Sequence, residues 1–264
     1  MTRSFEVQPS MKPSQHRTHN PVHNDAQARK LGFKAGLITG TTTYAYLARC
    51  PIQHFGRTWF SASVNVLKLR APLFEGDRAE VILETATDEA ATASLIDSGG
   101  AIRATLSTGL IDASDPPTPP DIPRGIIPAL PPLIRADILQ PGALLGSLWD
   151  PLDAAECREY ANLLNDSYKG YADGDLVHPG QLLHLANEVM MANYTMGPWF
   201  HTKTTVTNLA EVAPQTPVEV RSRVAGQFEK NGNELAVLEY NWILPNDVIA
   251  MSAVHTLMYK RGDK

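Results

Sequence analysis

Residues 181–194, Gln181-Leu182-Leu183-His184-Leu185-Ala186-Asn187-Glu188-Val189-Met190-Met191-Ala192-Asn193-Tyr194, read as a helix that is apolar on nearly every side. A helix on a protein surface shows one apolar stripe, so this one is enclosed by other structure. The sequence that follows supplies the enclosure. Residues 200–209, 218–229, 235–244 and 248–259 are rich in β-branched and apolar side chains, with turn chemistry at Lys230-Asn231-Gly232 and Pro245-Asn246. A short amphipathic helix over 153–164, with Asp153 at its cap, precedes the central one.

The first half repeats this order. An apolar helix over 39–49 opens at Gly40 and stops before Pro51. Strands over 58–69, 78–87, 91–96 and 101–111 follow, with turns at Glu75-Gly76-Asp77 and Ser98-Gly99-Gly100. An offset of 140 carries Gly40 onto Gly180, Tyr44 onto His184 and Trp59-Phe60 onto Trp199-Phe200 without a gap. Between the halves, the stretch from Ser114 to Pro132 holds eight prolines, too many for a helix or a central strand, and reads as a linker with polyproline II character. The expected layout is a first domain over 1–113, a linker over 114–134 and a second domain over 135–264. One buried helix wrapped by an antiparallel sheet, twice over, is an α+β architecture. Pairing the two sheets edge to edge covers exposed strand edges and makes the chain a monomeric pseudo-dimer, with a homodimer as the further option.

Composition narrows the function. The net charge of −5 and a pI near 5.9 point away from nucleic acid, and the nearest basic residues, Lys68 and Arg70, alternate with apolar ones as strand residues do. No run of 18 apolar residues occurs, so no membrane span is expected. The two cysteines, Cys50 and Cys157, are far apart, and the first residues lack an apolar leader, so a reduced, cytoplasmic protein is expected. Cys50 ends an apolar segment with no base beside it, which reads as burial rather than nucleophilic chemistry.

The most informative short motif is His19-Asn20-Pro21-Val22-His23-Asn24-Asp25, followed by Gly32-Phe33 and by Gly40 at the helix opening. It resembles the MaoC-like acyl-thioester hydratases and dehydratases, whose members carry Asp-x-Asn-Pro-x-His, a Gly-Phe pair about ten residues on and a glycine at the start of the central helix. The likeness continues through Gly56-Arg57-Thr58-Trp59 and Pro72-x-x-x-Gly76-Asp77, four motifs in matching order from Asn20 to Glu80. Val177-His178-Pro179-Gly180, Ala186-Asn187, Asn193 and Gly197-Pro198-Trp199-Phe200-His201 are similar to the companion domain of tandem members. The resemblance implies a double hot-dog fold, two antiparallel sheets each wrapped around a central helix. It also implies a hydro-lyase of the enoyl-CoA hydratase or dehydratase kind, acting on an enoyl or 3-hydroxyacyl thioester of coenzyme A or an acyl-carrier protein, with no cofactor.

Adding water across an enoyl double bond needs a base for the water, an acid for the α-carbon and donors for the thioester oxygen. His23 is the candidate base, and Asn20 either holds the same water or locks the loop. The first amides of the central helix, at Gly40 and Thr41 behind Thr39, are the candidate oxyanion donors. Trp59, His178 and Glu188 complete the candidate substrate-binding set. One departure stands out: Thr18 occupies the place of the family's aspartate. A threonine hydroxyl cannot accept a proton near neutral pH. Three outcomes stay open: another carboxylate takes over, one histidine suffices, or hydratase activity is lost. Glu188, the lone carboxylate on the second central helix, is the candidate replacement, and Asp25 is read as the cap of a helix over 26–31. A metal at His16, His19 and His23 is disfavoured by Pro21, which breaks helical spacing. The alternative function is an acyl- or polyketide-binding protein with isomerase, cyclase or non-catalytic character. A thioesterase is a third option, but its usual acid is missing from the first central helix.

Overall fold

The computed structural model describes residues 4–10, 20–112 and 114–262. Its first half runs β1 (Ser4–Val7), a 3-10 turn (Pro21–His23), α1 (Asp25–Lys30), α2 (Gly40–Phe55), α3 (Thr58–Ser61), β2 (Ser63–Leu69), β3 (Ala79–Ala86), β4 (Ala90–Asp97) and β5 (Ile102–Leu110). The second runs β6 (Leu144–Asp150), α4 (Ala154–Leu163), α5 (Lys169–Ala172), α6 (Pro179–Asn193), β7 (Phe200–Asn208), β8 (Val218–Lys230), β9 (Asn233–Leu244), a 3-10 turn (Pro245–Asp247) and β10 (Val248–Lys260).

Helix α2 starts where expected, with Thr39 Oγ1 accepting from Thr42 N, but it does not stop at Pro51. An interior proline removes one helical hydrogen bond and crowds the preceding turn. Cys50, Pro51 and Ile52 are nevertheless all buried, and their packing carries the helix on to Gly56. Gly56 has φ 62 and ends the helix with its N–H on Ile52 O at 2.8 Å. Trp59 and Phe60, expected on a strand, instead form the short helix α3.

All ten strands make one antiparallel sheet in the order β1-β3-β4-β5-β2-β7-β10-β9-β8-β6. Each half contributes five strands in the same relative order, the second mirrored about the β2–β7 seam. In that seam Ser63 faces Asn208 and Lys68 faces Lys203. The offset of 140 maps Ser63 onto Lys203 and Lys68 onto Asn208, so the ladder is carried onto itself. The seam therefore lies on the pseudo-twofold axis. Strands β1 and β6 were not foreseen, because one is four residues long and the other is broken in character by Gly146 and Ser147.

The central helices lie against each other inside the curled sheet. Gly180 permits this approach, since a methyl group there would sit 2.5 Å from Ala45 Cβ and 3.1 Å from Thr41 O. Trp242 fixes α6 to the sheet by donating Nε1–H to Leu182 O at 2.8 Å. The proline-rich segment is docked rather than free. Ile122 is buried, Asn241 donates to Pro120 O at 2.8 Å, and Arg124 forms a two-point pair with the buried Glu219 at 2.6 and 3.1 Å. Among the described residues no helix is long and apolar enough to cross a membrane, and both cysteines are buried thiols outside any disulfide.

Candidate active site

A cavity of about 320 Å³ opens between the halves, walled by the Asn20–His23 turn, the start of α2, residues 69–73 after β2, Asn187 of α6, residues 199–201 and the end of β10. Its surface is mainly apolar, with Val22, Phe33, Leu37, Ile38 and Phe200 on the walls and Arg70 and Arg261 at exposed positions of its lining. Among the described residues no aspartate or glutamate lines it.

Asn20 is committed to structure at both ends of its amide. Its Oδ1 caps the turn at Val22 N (3.3 Å) and accepts from Trp199 N (3.4 Å), while Nδ2 donates to Trp199 O at 2.9 Å. Of the two roles open in the sequence, the contacts are those of a lock, and the lock ties the turn to the other half. His23, buried at the end of this turn, has Nδ1 2.7 Å from Leu37 O. A carbonyl can only accept, so Nδ1 carries the hydrogen and a neutral His23 presents Nε2 as its proton acceptor. The loop is held further by Asp25 Oδ1, which accepts from Gly36 N at 2.7 Å. Asp25 is thus not the cap of α1. Asn24 takes that place, accepting from Gln27 N. Thr18, with His16 and His19, lies outside the described residues.

Thr39 and Gly40 line the cavity with His23. Thr39 Oγ1 occupies the N–H of Thr42, which leaves the earlier amides of the first turn as the helix's outward-facing donors. Thr41 turns away, its Oγ1 3.0 Å from Thr39 Oγ1 and 3.3 Å from His184 Nδ1. Tyr44, the repeat equivalent of His184, is buried beside Trp59.

Three expected binding residues are elsewhere. Glu188 is half-exposed and pairs with His184 Nε2 at 3.7 Å, off the cavity lining. Trp59 and His178 sit in the place that the pseudo-twofold relates to the cavity, and that place is filled. Phe60, Tyr168 and Tyr171 pack ring on ring, and His178 is held between Tyr160 and Tyr171 at centroid distances of 5.2 and 4.7 Å. His178 caps α6 by accepting from Gly180 N at 3.1 Å, with Asp166 3.4 Å from Nε2. Trp59 donates Nε1–H to Asn65 Oδ1 at 2.9 Å in a buried network with Ser63, Thr108 and Asn208. The repeat thus has one open cavity and one sealed with aromatic rings.

Two polar residues of the second half that were not singled out face the open cavity. Asn187 is a polar residue buried on a mainly apolar helix, which was a legible signal. His201 follows the repeated Trp-Phe pair where the first half has Ser61. Its Nε2 contacts Thr204 Oγ1, and its ring stands edge-on to His255 with centroids 4.1 Å apart. Burial lowers the His201 pKa to about 4, so the ring is neutral at pH 7.

No family model matches the chain, and no curated protein matches it in sequence. Solved structures do. A MaoC-like dehydratase is 13% identical with a TM-score of 0.62, covering 98% of each chain. A conserved protein of Mycobacterium tuberculosis with a double hotdog fold is 12% identical with a TM-score of 0.62, over 97% of this chain and 95% of that one. The dehydratase domain of PpsC from Mycobacterium tuberculosis, solved with C12:1-CoA, is 12% identical with a TM-score of 0.52, over 98% and 94%. An acyl-CoA thioesterase II from Mycobacterium marinum also matches, at 13% identity. At these identities the likeness shows the fold, and the fold is a double hot-dog.

Proposed function

We propose that this double hot-dog chain binds an enoyl or 3-hydroxyacyl thioester in its open cavity and interconverts the two by adding or removing water. The observation that carries the reading is the meeting of His23 and the first turn of α2 on one apolar cavity. In hydration, His23 Nε2 takes a proton from water as the oxygen adds to C3. The thioester oxygen gains negative charge beside the amides at Gly40, and the imidazolium returns its proton to C2. One water O–H bond and the C2–C3 π bond are broken, C3–O and C2–H bonds are formed, and the histidine ends neutral. The solved neighbours include dehydratases and one complex with an acyl-CoA, which supports a thioester ligand.

The test follows enoyl absorbance and free-thiol release with trans-2-enoyl-CoA thioesters of increasing chain length. Weak or absent turnover is expected for crotonyl-CoA, with longer chains turned over and His23→Ala lowering the rate by about 10²–10⁴-fold. Turnover unchanged in His23→Ala overturns the assignment, and thiol release without loss of the double bond favours a thioesterase.

The cavity lining favours one second reading. With no carboxylate among its described residues, one histidine suits a reaction that moves a single proton. Isomerisation of a 3-enoyl to a 2-enoyl thioester is of that kind: one base takes a proton from C2 and returns it to C4. Appearance of conjugated absorbance from a 3-enoyl-CoA, without hydration, would select it.

A further inference from the structure

Gly40 opens α2 without a side chain, and the structure gives a local reason. A methyl built on it would run into His201 Nδ1 and Leu69 Cδ1. His201 comes from the start of β7 in the other half, lines the same cavity as His23, and its Nδ1 is buried with no hydrogen-bond partner. An unpaired buried nitrogen is costly, so its retention calls for a compensating role. The repeat does not impose it, because the equivalent residue is Ser61. The ring is also fixed from behind, by Thr204 on Nε2 and by the edge-on ring of His255.

We propose that His201 is a catalytic residue of this cavity, a neutral imidazole that hydrogen-bonds the thioester oxygen through Nδ1 beside the first amides of α2. The assignment rests on the acyl-thioester reading above. In the proposed tautomer the Thr204 hydroxyl donates to Nε2 and Nδ1 carries the hydrogen, close beside Gly40 where the helix amides emerge. Two kinds of donor, one from each half, then converge on one oxygen. Burial keeps the ring uncharged at pH 7, so it donates without placing a full positive charge in the apolar cavity. Leu69, half-buried and on the same lining, is the flexible group that yields as the oxygen moves in.

The experiment uses saturated decanoyl-CoA labelled with ¹³C at the thioester carbonyl, which binds without reacting, and reads the carbonyl stretch in the infrared. A shift to lower frequency on binding is expected for the wild type and for His23→Ala, and a clearly smaller one, from the α2 amides alone, for His201→Phe. His201→Gln, which keeps an amide donor, restores part of the difference and serves if the phenylalanine variant does not fold. In turnover, His201→Phe lowers kcat by about 10²–10³-fold with KM little changed. Binding with an unshifted carbonyl in the wild type, or an undiminished shift in His201→Phe, overturns the role of His201 while leaving the pocket intact. Failure of the thioester to bind overturns both readings together.

Discussion

At residue scale, Asn20 shows how a motif residue on the cavity wall can also be a structural tie. Its amide holds the His23 turn to Trp199 of the other half through two hydrogen bonds and closes the turn on Val22 N with a third, all buried. Asn20→Ala leaves Trp199 O and N without these partners, so a loss of about 1–3 kcal/mol and a clear drop in melting temperature are expected. A residue that only held water would behave otherwise, with kcat falling and the melting temperature unmoved. Gly40 makes a sharper case. Gly40→Ala drives a methyl at His201 and Leu69, so thioester affinity and turnover fall together. Equal affinity for decanoyl-CoA by calorimetry would show that the ring and helix start can part without consequence.

At the scale of elements, the two central helices were legible and their surroundings were not. The apolar run over 181–194 and the Gly40 opening stand in the sequence because burial writes itself into every turn of a helix. The stop of α2 was misread because Pro51 is a local signal, whereas the packing that overrides it is tertiary. Short α3 and β1 carry too few residues for periodicity to show, and β6 is interrupted by Gly146 and Ser147. The site suffered most from the repeat itself. Trp59 and Trp199 are equivalent by position, yet only Trp199 reaches the cavity, because Tyr160, Tyr168 and Tyr171 arrive from α4, α5 and their junction to fill the other place. No feature within the Trp-Phe pairs distinguishes open from sealed. The helix pair yields its own test: Gly180→Ala sets a methyl against Ala45 and the backbone oxygen of Thr41, which cannot move aside freely. Overpacking of this sort costs about 1–3 kcal/mol, and denaturant unfolding should show it as a lower midpoint with an unchanged slope.

For the whole molecule, the seam between β2 and β7 makes the halves interdependent, since the open cavity draws His23 and Gly40 from one and Asn187 and His201 from the other. That arrangement places two neutral histidines, His201 and His255, in the second half's interior, both held by burial below the ordinary histidine pKa and His201 at about 4. In the unfolded chain both return to about 6.5. Between these values the unfolded state binds more protons than the folded one, so stability is full above about pH 6.5 and falls as the pH drops toward 4. Carboxylates held low, such as Glu211 by its hydrogen bonds from Arg57, add their own loss only as the pH falls below about 5.3, a unit above the unfolded glutamate value. The window from about pH 6.5 to 5.5 therefore isolates the histidines. Urea midpoints measured across it should decline steadily in the wild type, and the decline should flatten in a His201→Gln, His255→Gln double variant relative to its own midpoint at pH 7.5. A flat wild-type profile in that window would mean that the two rings are reached by water and protonate in the folded state, which would also remove the neutral donor from the proposed site.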